Sequence, residues 1–143
     1  MIAWPRSVVA FFALLAVQAA SAEPLEPGRW RVVTTTLQGL STPPQVAMRC
    51  LTPEDVKDPG KTFGPQVSTV NSECERTQFE LDDSSLSWRL QCRGQLNMDV
   101  IGKFLFESPT HYSALIATRA TMLDRIVQET MMTIAAQRVG ACE

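Results

Sequence analysis

The chain has 143 residues, of which 45% are hydrophobic and 20% charged, and its formal net charge is -2. That length fits one domain with its own core. No run of like charge exists, which argues against a nucleic-acid groove and against a polybasic membrane patch.

The first segment reads as a leader. Arg6 supplies a positive start, residues 7–20 carry no charge, and Ala20-Ser21-Ala22 is a small-x-small cleavage site before Glu23 and Pro24. This is the secretory signal pattern, and it is too short for a spanning helix, which needs about 20 apolar residues. Cleavage is expected after Ala22, leaving no stable membrane span and one mature domain over residues 23–143. No cysteine follows the apolar run, which argues against a lipid anchor. Losing Arg6 takes Lys+Arg from 13 to 12 against 15 acids, so the mature domain carries -3.

Residues 23–28 form a proline-rich lead-in. Residues 29–37, RWRVVTTTL, are rich in β-branched side chains and predict a strand with Trp30, Val32, Thr34 and Thr36 on one face. A turn at 38–44 leads to a second short strand at 45–51. Thr52-Pro53-Glu54-Asp55 signals a short helix: Thr52 caps, Pro53 suits the first position, and the acids face the positive helix end. Asp58-Pro59-Gly60 stops it, and residues 61–72 read as a surface loop. Residues 74–81 and 86–92 predict a hairpin about the turn Asp82-Asp83-Ser84-Ser85. Residues 94–107 alternate, with Leu96, Met98, Val100, Phe104 and Phe106 on one face and a polar face broken by Ile101 and Leu105. Residues 112–139 are ambiguous. Apolar residues recur there near helical spacing, which favours an amphipathic helix, whereas many β-branched residues and a possible turn at Leu123-Asp124-Arg125 suggest two strands.

The four cysteines, Cys50, Cys74, Cys92 and Cys142, leave 23, 17 and 49 residues between them and form no CxxC. An even count in an exported chain implies two disulfides rather than a zinc ribbon or a redox motif. Folding the hairpin about Asp83 brings Cys74 to Cys92. The hydrophobic pairs Leu81/Leu86 and Phe79/Trp88 are one residue out of step with that pairing, and a one-residue bulge or a frayed strand start would reconcile them. Cys50–Cys142 follows by elimination.

The order of features resembles a bacterial domain-of-unknown-function family, number 3617, of small exported proteins usually carrying four cysteines. The carriers are Pro27-Gly28-Arg29-Trp30, Cys50-Leu51-Thr52-Pro53-Glu54-Asp55, the Trp88 strand to Cys92-Arg93-Gly94, Tyr112-Ser113, and Gln137-Arg138-Val139-Gly140-Ala141-Cys142. The resemblance implies an all-β domain with strands at 112–122 and 126–139. The expected architecture is therefore an antiparallel meander of about seven strands, curved or barrel-like, with one short helix after Cys50 and two disulfides. It brings no activity and no catalytic residue. Relatives usually place glycines in the final hairpin, and this chain has none between Gly102 and Gly140.

Chemistry is sparse. His111 is the single histidine, in a turn with Ser108 and Thr110, and no acid is placed to complete a triad. Asp82 and Asp83 fit ordinary turn chemistry better than calcium. There is no GxSxG, HExxH or glycine-rich phosphate loop, so an enzyme is the least favoured class and no cofactor is expected. Thioethers hold Cu(I), which makes Met131 and Met132 weak metal candidates, although methionine also fills cores. Trp30, Trp88, Met98, Phe104 and Phe106 either fill a core or line a small apolar pocket. The leading expectation is a non-enzymatic periplasmic module binding a small apolar or amphipathic ligand inside a curved sheet. The alternative is an interaction module docking on another envelope protein through an exposed sheet edge. Copper handling comes third.

Overall fold

The computed structural model describes residues 23–39, 42–66 and 72–143; the expected leader, residues 1–22, and its cleavage site lie outside them. Seven strands form one antiparallel sheet: β1 (Gly28–Gln38), β2 (Gln45–Leu51), β3 (Ser72–Leu81), β4 (Ser85–Gly94), β5 (Asn97–Ser108), β6 (His111–Met122) and β7 (Arg125–Gly140). Their spatial order is β2-β1-β7-β6-β5-β4-β3. The chain starts as a hairpin at one side and crosses to the far edge through two short helices, α1 (Pro53–Lys57) and α2 (Pro59–Thr62). It then returns strand by strand until β7 pairs with β1. No helix among the described residues is long and apolar enough to cross a membrane.

The sheet is open, which corrects the barrel-like expectation: β2 and β3 are its two edges. The crossing segment supplies the reason. Val56 and Phe63 are buried on one face of the sheet, taking the interior that closure would otherwise have to fill with strand side chains. The β3 edge carries Glu73, Glu75, Arg76 and Glu80, charges that discourage further pairing.

Residues 112–139 form two strands, not a helix, joined by a two-residue turn with Met122 opposite Arg125. Leu123 and Asp124 both adopt positive φ, 49° and 58°, the pattern whose twist matches a hairpin. The Cys74–Cys92 and Cys50–Cys142 disulfides are both formed. In the β3–β4 hairpin Phe79 faces Trp88, Leu81 faces Leu86 and Cys74 faces Cys92, with a register shift between Arg76 and Gln78. That bulge resolves the one-residue conflict between the apolar pairs and the cysteines.

The helical segment holds a second correction. Thr52 and Asp55 form a capping box, each side chain bonded to the other's backbone N–H. Asp58-Pro59 ends α1 at Lys57 as expected, but it also starts a second short helix where a single helix was expected, because Asp58 caps Lys61 N–H and Pro59 takes the first position. The expected surface loop after it buries Phe63, whose ring centroid lies 5.3 Å from Phe104, 5.8 Å from Phe106 and 5.0 Å from Tyr112. The two core indoles hold the covering segments through their N–H groups. Trp30 Nε1 donates to Glu26 O at 3.2 Å, and Trp88 Nε1 donates to Phe63 O at 2.9 Å. Each bond satisfies a polar atom that burial would otherwise penalise. Leu25 in the lead-in is buried with them.

Candidate functional site

Residues directly opposite in an antiparallel pair share a face, so the register assigns two faces. The inner face carries Trp30, Trp88, Phe104, Phe106, Tyr112 and Ala136 beneath the lead-in and helices. Of the residues expected to line a pocket, Trp30, Trp88, Phe104 and Phe106 lie in the packed core, and Met98 packs against its edge. Trp88 and Phe104 also border a hollow of about 390 Å³ shared with Arg49, Phe63 and Tyr112. The Arg49 guanidinium stacks 5.4 Å above the Phe63 ring. Burial pushes the Tyr112 hydroxyl above its ordinary range, with Arg49 opposing.

The larger concavity, about 710 Å³, lies on the opposite face. Two cross-strand rows build it. One runs Val33, Ala135, Ser113, Leu105, Ser85; the other runs Thr35, Thr133, Leu115, Lys103, Ser87. Apolar side chains thus stand in the middle of five strands, Leu105 being 57% exposed, while hydroxyls surround them. Small-molecule sites combine such apolar floors with a few polar groups in volumes of about 300–1,000 Å³.

The rows toward the β6–β7 turn are charged and paired. Arg89 Nε donates to Asp99 at 2.8 Å, and Arg119 Nε donates to Glu129 at 2.7 Å. The bond from Arg89 is the main reason the Asp99 carboxyl is held below the usual range. At the other end Ser113 Oγ donates to Glu107 Oε1 at 2.8 Å. This groove was not singled out from sequence, but a signal existed: Leu105 and Ile101 break the alternation of β5 on the face now seen to carry it.

The remaining candidates do not converge on it. Asp82 accepts from the N–H groups of Ser84 and Ser85 and from both hydroxyls, which lowers its pKa and makes it the organiser of the β3–β4 turn. His111 Nδ1 sits 3.0 Å from Thr110 Oγ1 and 3.3 Å from Ser108 Oγ, both within its own turn. Met131 pairs with Ala117 and Met132 with Ile116, so the adjacent thioethers project to opposite faces. Among the described residues no group of three or more His, Cys, Asp or Glu side chains is placed to hold a metal.

The fold thus defines a small, open, disulfide-linked antiparallel β domain whose inner face packs a core beside a hollow and whose outer face is grooved. Two disulfides point to an oxidising, extracytoplasmic environment. The chain belongs to the family described as "Protein of unknown function (DUF3617)", which matches residues 25–142. Comparison with curated proteins and with solved structures finds no match.

Proposed function

We propose that the mature domain, residues 23–143, is a non-enzymatic periplasmic module that binds a small amphipathic ligand in the groove on its outer face. The leader pattern ending at Ala22 and the two disulfides support the compartment. One observation carries the ligand reading: Val33, Leu105, Leu115 and Ala135 share a depression of about 710 Å³ on the face opposite the buried core. Apolar side chains in the middle of a sheet, not needed for its core, favour an occupant that removes them from water.

The test is titration of the oxidised domain with the neutral probe N-phenyl-1-naphthylamine. Saturable binding at one site is expected, weakened at least tenfold by Leu115→Asp. Absence of saturable binding, or binding indifferent to Leu115→Asp, would refute the reading.

A second reading, docking on an envelope protein through a sheet edge, is favoured by β2. That edge strand exposes Val46 and Met48, and Val46 faces Val33 at the end of the groove. Mild crosslinking in cell envelopes through a cysteine-free photoreactive residue at Val46 would capture a specific partner on this reading and none on the first.

A further inference from the structure

Resting on the reading of the outer groove as a ligand site, we infer that it selects anionic amphiphiles, with the head group at the Lys103 ammonium and the chain over Leu115, Ala135 and Val33. Lys103 is the one charged residue in the two rows that build the groove. Its direct cross-strand neighbours are Ser87 on β4 and Leu115 on β6. It takes part in no ion pair among the described residues, where the ion pairs are Arg29–Glu143, Arg89–Asp99, Arg119–Glu129 and Arg138–Glu26.

The surrounding charges sharpen the preference. Arg89, two residues beyond Ser87 on β4, is held by the Asp99 carboxylate on the side away from the groove. Glu107 stands two residues beyond Leu105 and reaches Ser113 Oγ at 2.8 Å. The groove therefore has a positive site at Lys103, and a negative charge stands just beyond its end at Glu107. An anion is attracted to the first and repelled by the second, which orients the ligand as well as selecting it. The Ser87 hydroxyl, directly across from Lys103, offers a donor to the same head group. A cationic amphiphile would meet like charge at Lys103.

Three ten-carbon probes that differ only in the head group test this: decanoate, decanol and decylammonium, titrated at pH 7.5 and low salt by displacement of the neutral fluorophore. Decanoate is expected to bind at least tenfold more tightly than decanol, and decylammonium most weakly. Lys103→Gln is expected to erase the advantage of decanoate and leave decanol unchanged, and Leu115→Asp to weaken both. Equal binding of decanoate and decanol, or an undiminished advantage in Lys103→Gln, overturns the inference while leaving the groove as a ligand site. Failure of all three probes to displace the fluorophore, or of the fluorophore to bind, overturns the ligand reading itself.

Discussion

Gly102 offers the most direct test of how the core is built. It lies on β5 opposite Trp88 on β4, and the indole ring covers it. A Cβ at this position would stand 2.3 Å from Trp88 Cε2, 2.4 Å from Cζ2 and 2.8 Å from Nε1. Ordinary carbon contacts are about 3.5–4.0 Å, so in Gly102→Ala the ring must retreat by more than about 1 Å. It is not free to do so, because Nε1 donates to Phe63 O at 2.9 Å and thereby anchors the helical segment. Overpacking of this kind costs about 1–3 kcal/mol. Losing the indole bond and leaving a buried polar group unmet adds about 1–3 kcal/mol. The expected loss is therefore about 2–6 kcal/mol, against a total stability of about 5–15 kcal/mol for a domain. Urea unfolding followed by tryptophan fluorescence measures it. A control separates the ring clash from a generic effect. In a Trp88→Leu background the added methyl meets no indole, and Gly102→Ala should be neutral or stabilising by about 0.5–1 kcal/mol, the ordinary gain over glycine inside a strand. A Gly102→Ala variant within about 0.5 kcal/mol of the parent, or an equal loss in both backgrounds, would refute the argument.

The two disulfides should differ in weight. Cys50–Cys142 closes a span of 92 residues and Cys74–Cys92 one of 18; loop entropy assigns them about 4–5 and about 3 kcal/mol. Paired Cys→Ala replacement, read by urea midpoint, should rank them in that order, and the reverse ranking would contradict it. Stability should also fall in acid. Asp82, Asp99 and Asp55 are held below the ordinary 3.8 by hydrogen bonds to Ser84 and Ser85, to Arg89 and to Thr52. The unfolded chain binds protons first, so their contribution is complete above the unfolded pKa and is lost as pH falls through the lower folded values. Asp82→Asn should lower the thermal midpoint at pH 6 and converge with the parent near about pH 2; a deficit that persists undiminished at low pH would show that the carboxylate charge is not the cause.

Elements whose signals are local were legible in the sequence. The second strand ends where its residues predict, at Gln45 and Leu51. The Thr52-Pro53 start works through a capping box. The mismatch between the cysteine pairing and the Leu81/Leu86 pairing called for a bulge or a frayed strand start, and a bulge lies between Arg76 and Gln78. Asp58-Pro59 has the cap-proline form of Thr52-Pro53: it stops α1, as its residues predict, and also caps α2, which brings Phe63 to the core.

What only tertiary structure decided is which apolar residues face which partner. In residues 112–139 the adjacent pairs Leu115/Ile116 and Met131/Met132 resemble helical spacing. They arise because these strands are apolar on both faces, one residue of each pair facing the core and its neighbour the grooved side. Alternation identifies a strand only when one face is polar. For the same reason only the tertiary structure shows the aromatic row packed in the core with Leu25, Val56 and Phe63 from distant parts of the chain, Trp88 and Phe104 also bordering the inner hollow. The groove is assembled from β1, β4, β5, β6 and β7 at positions separated by up to about a hundred residues. No local pattern connects Val33 with Lys103 or Ala135; the register between strands does.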